Sequence, residues 1–238
     1  MIEAIVCKSL DYKDSSKILY LYTEKGTMSV IARGVKKLQS INRFLSQVPN
    51  VIEFTPTRGD FPSLKEGELV KEFSNIELDI ESYTFVSHIL ELVSAIIDEN
   101  NDHPKMYQFL KRLLTLFDQQ FDPEILSFIF ELKLLHFLGY GLRFSGCSLC
   151  EENDNLVYSI RNGGLICRKH LEPLEEHFDS DIYMKINELY RMDISDLKTF
   201  EFTKNERIMI RHIIDVTYSD FTGYQSKSRS IIKQIKKY

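Results

Sequence analysis

The sequence lacks an apolar run long enough to cross a membrane. Its most apolar stretch, ILSFIFELKLLHFLGYGL, is interrupted by Glu131, Lys133 and His136, whereas a membrane-spanning helix needs about 20 predominantly apolar residues. The first residues, MIEAIVCKSL, have no basic segment followed by an apolar one, which an export signal requires. We therefore expect neither membrane insertion nor export.

Cysteine is scarce: the 238 residues include only four, and three of them fall within one short segment. The fourth, Cys7, lies alone in an apolar segment. Because cysteines grouped at short spacings are typical of metal sites rather than of disulfide frameworks, we expect free thiols and a reducing compartment. The predicted location is the cytoplasm.

The motifs of common catalytic sites are also missing. The sequence has no phosphate-binding loop, no nucleophile elbow and no His-Glu-x-x-His helix. A zinc nucleobase deaminase would need a His-x-Glu motif and a proline before the first cysteine of its pair, but Gly146 occupies that position. The sequence therefore predicts a protein that is not an enzyme.

The cysteine segment has the spacing of a metal site. Cys147 and Cys150 are separated by two residues and, after sixteen further residues, Cys167 and His170 are separated by two. Zinc binds thiolate and imidazole together, and four protein ligands leave no open coordination position, so the predicted role of this zinc is structural. Two alternatives are His177 as the fourth ligand and a redox dithiol at the first cysteine pair, although no βαβ context surrounds that pair.

The net charge of −5 hides an uneven distribution of charge. Two segments contain five basic residues each and no acidic one, and the remaining 20 basic residues stand against all 35 acidic ones, a formal charge of about −15. Such a layout can hold a polyanion locally and repel it elsewhere. The two groups are Lys25, Arg33, Lys36, Lys37 and Arg43, and Lys227, Arg229, Lys233, Lys236 and Lys237.

The first eighty residues have the pattern of short β-strands. Five segments, mostly rich in Val, Ile, Tyr and Phe, are separated by turn signals such as Lys25-Gly26 and Arg33-Gly34. Five such strands suggest a small closed barrel. The exception is the segment KKLQSINRFLSQ, which could be a basic loop that leaves the barrel or a helical turn. The five segments are IEAIVCKSL, KILYLYTE, TMSVIAR, VPNVIEFTP and SLKEGELVKEF.

From about residue 80 the apolar residues recur at helical spacing. The predicted fold class is α+β: a β-barrel at residues 1–79, then a helical domain at 80–238 with a metal module inserted at about 144–173. In the carboxy-terminal tail, a helix would gather Arg229 and Lys233 on one side and leave Ile231, Ile232 and Ile235 to pack inward. The helical segments are YTFVSHILELVSAIID, KMYQFLKRLLTLFDQQF, PEILSFIFELKLLHFLGY, DIYMKINELYRM and KNERIMIRHIIDVTYSDF.

The basic stretch IARGVKKLQSINR is the candidate nucleic-acid contact. Its cations could meet phosphates along one face of the barrel, and nearby aromatic side chains could stack on bases. A solvated basic loop without a ligand is the alternative. The aromatic candidates are Tyr20, Tyr22 and Phe44.

Four segments, taken in order, resemble the RecO family of bacterial DNA repair proteins across nearly the whole chain. They are DYKDSSKILYLYTEKGTMSVIARGVKK, FELKLLHFLGYGLRFSGCSLC, GGLICRKH and GYQSKSRSIIKQ. The resemblance implies that the barrel is an OB-fold, followed by a helical domain that in many members carries a zinc knuckle. It also implies that the protein binds single- and double-stranded DNA and anneals complementary strands. Its implied partners are the carboxy-terminal tail of the single-strand-binding protein and RecR, with which it helps load RecA, in the cytoplasm near the nucleoid.

The resemblance also implies site roles, with three departures from the family pattern. The first basic group would contact DNA together with Lys227, Arg229 and Lys233 of the second group. The candidates for the partner tail are Lys111, Arg112 and Lys133. His170 stands where the zinc-bearing members commonly have cysteine. Leu38-Gln39 interrupts the basic loop, and Phe128-Ile129-Phe130 stands where some relatives have basic residues.

Two other classes of function compete with this interpretation. A zinc-dependent hydrolytic or transfer enzyme acting on nucleic acid would need an open metal position or a convergent polar pocket, and the sequence indicates neither. An interaction protein would use its basic face for acidic protein tails only.

Overall fold

The computed structural model describes residues 1–37, 40–59, 61–97, 103–196, 200–224 and 226–236. These residues form two compact units. Unit 1 contains the described residues up to 126 together with those from 226 onward, and unit 2 contains those from 127 to 224.

Unit 1 contains a five-stranded antiparallel sheet in the order β3-β2-β1-β4-β5. The edge strand β3 meets the start of β5 through a parallel bridge between Ile31 and Ser63, where the Ile31 N–H donates to the Pro62 carbonyl at 2.9 Å. The bridge brings the two edges together, so the sheet becomes the five-stranded barrel of an OB-fold. The strands are β1 (Ile2–Tyr12), β2 (Ser16–Thr23), β3 (Gly26–Ala32), β4 (Val51–Pro56) and β5 (Leu64–Lys71).

Helices make up most of the remaining described structure. Their limits follow local signals: the Asp79 side chain caps α2 by accepting from the Ser82 N–H at 2.9 Å, and Thr203 and Glu206 form a capping box at α6. The helices are α1 (Ser74–Leu78), α2 (Ile80–Ile96), α3 (Pro104–Asp118), α4 (Pro123–Phe137), α5 (Ser180–Arg191), α6 (Lys204–Thr222) and α7 (Ser228–Lys236). Among the described residues, none of the helices is both long enough and apolar enough to span a membrane.

Side-chain alternation along β2 separates the barrel interior from its outer surface. Leu19 and Leu21 belong to the buried barrel core, whereas Tyr20 points outward and is 37% exposed. Tyr22 also points outward but is fully buried, because its ring packs edge-on against Tyr107 of α3 with the ring centroids 5.7 Å apart. Part of the outer barrel surface is therefore covered and part is open.

In unit 2 an ion pair is buried within the apolar core. Arg211 of α6, only 4% exposed, donates to the Glu131 carboxylate of α4 at 2.7 Å and to the Ser127 hydroxyl at 3.3 Å. Its guanidinium lies 4.6 Å from the ring centroid of Phe128. Because a buried charge is costly when left unpaired, this pair fixes how α6 lies on α4.

The structure confirms the predicted fold class, an OB-like barrel followed by helices with a small cysteine-containing module. Ile41–Ser46 forms a short 3₁₀ helix, so the helical-turn alternative for this stretch is the observed one; Leu38 and Gln39 lie outside the described residues. The proposed domain boundary at residue 79 stays a prediction: β5 ends at Lys71 and α2 begins at Ile80.

Candidate metal centre and candidate nucleic-acid interface

The four predicted metal ligands converge in unit 2. The sulfur atoms of Cys147, Cys150 and Cys167 and a ring nitrogen of His170 all lie within 4.8 Å of one another. The Nδ1 atom of His170 is 3.6 Å from the Cys147 sulfur and 3.3 Å from the Cys167 sulfur, and the sulfurs of Cys150 and Cys167 are 3.9 Å apart. The cluster could hold a metal ion.

These separations can be compared with a tetrahedral zinc site. Zn–S bonds of about 2.3 Å and Zn–N bonds of about 2.0–2.1 Å would put sulfur atoms about 3.8 Å apart and sulfur and nitrogen about 3.6 Å apart. The observed 3.9 Å and 3.6 Å separations fit this geometry, and the 3.3 Å separation is slightly short. The cysteines are free thiols. The donor set and these three separations therefore suit zinc.

A small three-stranded sheet positions these ligands. Its order is β7-β6-β8, formed by β6 (Leu156–Ser159), β7 (Gly164–Cys167) and β8 (His177–Asp179). Gly163, with φ of 58°, makes the turn between β6 and β7. A Cβ atom at Gly164 would lie 2.7 Å from the Ser148 hydroxyl, so the close approach of β7 to the first cysteine pair requires glycine. The turn thereby brings β7, which ends at Cys167, close to the first cysteine pair.

The pKa values of the Cys147 and Cys7 thiols are shifted in opposite directions. Burial acts to raise the pKa of Cys147, but hydrogen bonds from the backbone at Cys167 and Leu149 and from His170 outweigh it and lower the pKa to about 6. Burial raises the pKa of Cys7 to about 12. Since thiolates bind metals, Cys147 is suited to be a ligand and Cys7 to be a packing residue.

The rival fourth ligand, His177, is not part of the cluster. It lies exposed on β8, and its Nδ1 atom is 3.1 Å from the backbone carbonyl of Glu175. His170 follows Cys167 in a short 3₁₀ helix, which turns its ring back toward the sulfur atoms. The structure thus favours His170 as the fourth ligand.

The first basic group is exposed on the barrel but is not a single patch. Lys25 precedes β3 and Arg33 directly follows it, so these two lie at opposite ends of the strand. Lys37 lies in the loop after β3, and Arg43 on the 3₁₀ helix. Lys36 donates to the Asp11 carboxylate at 2.7 Å, and this hydrogen bond keeps the Asp11 pKa below its usual value.

Helix α7 carries Arg229, Lys233 and Lys236 of the second basic group and packs on α2 within unit 1. Glu91 of α2 accepts from the backbone N–H groups of Lys227 at 2.8 Å and Ser228 at 3.0 Å, which satisfies donors at the start of α7. The Nδ1 atom of the buried His88 lies 2.9 Å from the hydroxyls of both Ser226 and Ser228. Glu91, a charge in an otherwise apolar segment, was not among the predicted site residues.

The cations of α7 divide into internal and surface positions. Lys236 pairs with Glu81 and lies 3.8 Å from Glu124, so it serves the packing of unit 1. Lys227 and Lys233 are exposed and Arg229 is half-buried, while Lys237 lies outside the described residues. The expected inward packing of Ile231 is wrong, since this side chain is largely exposed, whereas Ile232 is buried.

The candidates for partner-tail binding differ in their surroundings. In unit 1, Lys111 donates to the Glu3 carboxylate at 2.7 Å and Arg112 beside it is exposed. In unit 2, burial lowers the pKa of Lys133, whose ammonium lies 5.6 Å from the centroid of the Tyr190 ring. The Phe128-Ile129-Phe130 segment is fully buried, so in this chain it belongs to the core.

Of the aromatic side chains proposed to stack on bases, Tyr20 is exposed and Phe44 is 48% exposed, but Tyr22 is buried against Tyr107. The predicted stacking role of Tyr22 is therefore wrong.

Replacement of Glu91 by alanine should loosen α7. The helix would lose a charged acceptor for two backbone N–H groups, an effect of about 1–3 kcal/mol, so amide hydrogen exchange at residues 227–236 should accelerate roughly 5- to 150-fold. The control is Glu77→Ala, which removes an exposed carboxylate from α1. Unchanged exchange in α7 of the Glu91→Ala variant would contradict the capping role.

Comparison with known proteins covers the whole chain. Residues 1–73 match the family model described as Recombination protein O N terminal, and residues 77–230 match Recombination protein O C terminal. The chain is 28% identical over 242 residues to DNA repair protein RecO of Bacillus cytotoxicus and 27% identical over 242 residues to that of Bacillus mycoides. Each alignment covers 100% of this chain and 98% of the relative. With an OB-like barrel, a following set of helices and a cluster of three cysteines and one histidine, the chain belongs to the RecO family of DNA repair proteins.

Proposed function

We propose that the protein is a non-catalytic recombination mediator. It binds single- and double-stranded DNA, anneals complementary strands and, with RecR, helps load RecA on DNA coated with single-strand-binding protein. The observation that carries this proposal is the exposed loop bearing Arg33, Lys36 and Lys37 on the barrel of a chain that belongs to a DNA repair family. Its place of action is the cytoplasm, at the nucleoid.

Exposed cations on the barrel suit binding to the DNA backbone. The barrel interior is filled by a buried apolar cluster, so a strand must bind on the outer surface. Each lysine or arginine that meets a phosphate releases a bound counterion, and this makes affinity fall with salt. Lys36 would exchange the Asp11 carboxylate for a phosphate, so it adds less than a cation without a nearby acid.

For the cysteine module we propose one structural zinc ion per chain, held by Cys147, Cys150, Cys167 and His170. Four protein ligands leave no coordination position for a reactive water, which supports a structural role. The alternative, a zinc-dependent enzyme, would need such an open position. Among the described residues, four buried side chains form the apolar cluster around this site, with Leu156 and Leu171 packed against it. Two of the four belong to the proposed ligands Cys147 and Cys167. The metal would therefore supply stability that so small a core lacks.

For the acidic tail of the single-strand-binding protein we propose two separate candidate contacts, Lys111 with Arg112 in unit 1 and Lys133 in unit 2. Arg112 is the most accessible, because Lys111 already donates to Glu3 and Lys133 is partly buried. Lys227, just before α7, and Arg229 and Lys233 on α7 would add a second cationic contact for DNA or for this tail.

Purified protein should contain one zinc ion per chain, and Cys147→Ser should lower that content severalfold because it removes one of four ligands. Elemental analysis of protein prepared without added metal measures this directly. Hydrogen exchange should accelerate in residues 144–173 and stay unchanged in the barrel strands.

Two controls separate the ligands from other sulfur and imidazole groups. Cys7→Ala removes the remaining thiol and His177→Ala removes the rival histidine; both variants should keep one zinc ion. Wild-type levels of zinc in Cys147→Ser, or a loss of zinc in His177→Ala, would contradict the assigned ligand set.

A combined Arg33→Ala, Lys36→Ala and Lys37→Ala variant should bind both single- and double-stranded oligonucleotides more weakly. On single strands, each phosphate contact contributes about 0.7 to the slope of log affinity against log salt concentration. The loss of three contacts should therefore make this slope shallower by about 2. Annealing of complementary oligonucleotides coated with single-strand-binding protein should slow in parallel.

The matched control is a Lys105→Ala, Arg191→Ala and Lys204→Ala variant. It removes the same charge from exposed positions outside the two basic groups. Equal loss of DNA binding in the two variants would mean that the net charge of the protein, and not this loop, determines the affinity. Wild-type annealing by the loop variant would contradict the proposed function of the loop.

A further inference from the structure

One side of the cysteine cluster is open to solvent. Cys150 and His170 are exposed, whereas Cys147 and Cys167 are only 8% and 2% exposed. The remaining cysteine of the chain, Cys7, is buried in β1 of unit 1. The thiol of Cys150 is therefore the one that a small dissolved oxidant reaches most readily.

The sulfur atom of Cys167 lies next to that of Cys150. The two sulfur atoms are 3.9 Å apart. The Ser148 N–H donates to the Leu165 carbonyl at 2.7 Å, and this bond holds the segment that contains Cys150 against β7, which ends at Cys167. A disulfide has its sulfur atoms about 2.0 Å apart, so these two must approach by about 1.9 Å. Rotation of the exposed Cys150 side chain can supply this movement while the sheet stays in place.

The sulfur atom of Cys147 has other neighbours. It accepts from the Leu149 N–H at 3.5 Å and lies 3.6 Å from the Nδ1 atom of His170, on the buried side of the cluster. The geometry thus favours a pair formed by Cys150 with Cys167 over a pair within the first two cysteines.

A disulfide between Cys150 and Cys167 would remove two of the four proposed metal ligands. Thiolates bind metals, and a sulfur in a disulfide is no longer a thiolate. Cys147 and His170 would remain, and two ligands do not complete a tetrahedral site. Because the apolar cluster around the site is small, loss of the metal would loosen the module.

We propose that Cys150 is an oxidation site, and that a peroxide converts Cys150 and Cys167 into a disulfide that releases the metal from the module. The metal-release part rests on the proposed structural zinc. Disulfides that form in a reducing compartment are usually transient and serve redox sensing or catalysis. The module would in this way make the state of the protein depend on exposure to peroxide.

The reaction takes two steps. In the first, the Cys150 thiolate attacks one oxygen of hydrogen peroxide: an S–O bond forms, the O–O bond breaks, and the second oxygen leaves as hydroxide. The sulfur is oxidised to a sulfenic acid and the peroxide is reduced. In the second, the Cys167 thiolate attacks the Cys150 sulfur: the S–S bond forms, the S–O bond breaks, and hydroxide leaves again. The two thiol protons end on the two hydroxides, so the products are one disulfide and two water molecules.

Peptide mapping of the full-length protein tests the pairing. Reduced protein is treated with hydrogen peroxide, alkylated, and digested with trypsin in the absence of a reductant. Cleavage after arginine separates peptide 144–161, which contains Cys147 and Cys150, from peptide 162–168, which contains Cys167. We expect these peptides to be linked, with a mass lower than their sum by two hydrogen atoms. Fragmentation of the linked species should place the bond at Cys150.

Metal content and hydrogen exchange report the consequence. The zinc content of the peroxide-treated protein should fall severalfold, in step with the linked peptide. Amide exchange should accelerate in residues 144–173 and stay unchanged in the barrel strands. Dithiothreitol added together with zinc should reverse both changes, because thiols reduce a disulfide by exchange. Zinc that stays bound while the linked peptide accumulates would overturn the metal-release part of the proposal.

Three variants identify the reacting thiols. Cys150→Ser removes the exposed thiol and should abolish the linked peptide. Cys147→Ser removes a buried thiol of the same tryptic peptide and should keep the link, which distinguishes the two cysteines. Cys7→Ala is the matched control outside the cluster, and it should behave as wild type in both the link and the zinc release.

Other outcomes would overturn the pairing. Reduced glutathione in the same solution serves as the reference thiol: if it is fully oxidised while the module keeps its thiols, Cys150 is not an oxidation site. A disulfide within peptide 144–161, or oxidation of Cys150 to a sulfonic acid without a link, would also contradict the proposal.

The test separates this proposal from those on which it builds. Reduced protein without zinc would overturn the structural zinc and the metal release, while peptide mapping would still decide whether the disulfide forms. Oligonucleotide binding is measured on the same reduced preparation. Its absence would overturn the proposed function and leave the oxidation site standing.

Discussion

Closure of the barrel is the constraint on which the surface of unit 1 depends. One hydrogen bond, from the Ile31 N–H to the Pro62 carbonyl, marks where the sheet edges β3 and β5 meet. Closing the sheet places Leu19, Leu21 and Val30 in a shared interior, which leaves no room for a ligand inside. Outward-facing residues can then be covered by a helix, as Tyr22 is, or left open, as Tyr20 is.

Different interactions stabilise the parts of the chain. The barrel has an extensive apolar cluster, and the packing of α6 on α4 depends on the buried pair of Arg211 and Glu131. The cysteine module has a far smaller apolar cluster. A metal bound by four ligands would supply the stability that this small cluster does not. We therefore expect metal removal to destabilise the cysteine module and to leave the barrel folded.

Basic residues that look alike in the sequence have different roles in the structure. Lys36 and Lys236 pair with carboxylates of the same unit, whereas Arg33 and Lys37 are exposed beside the barrel. A cation that is already paired gains less from a phosphate, because it must give up its carboxylate partner. The acid-free segments of the sequence therefore overstate the charge that is available to DNA, and the neighbourhood of β3 is where exposed cations and open aromatic rings occur together.

The sequence by itself determined the barrel strands, the main helices and the cluster of three cysteines and one histidine. Each of these depends on short-range patterns: alternation in KILYLYTE, helical spacing in PEILSFIFELKLLHF, and the paired spacings of Cys147 with Cys150 and of Cys167 with His170. Only the tertiary structure decided that Tyr22 is buried and Tyr20 open, and that Glu91 holds the start of α7. Alternation assigns a side chain to a face of the sheet, but whether that face is covered depends on segments distant in the chain, such as α3 over Tyr22.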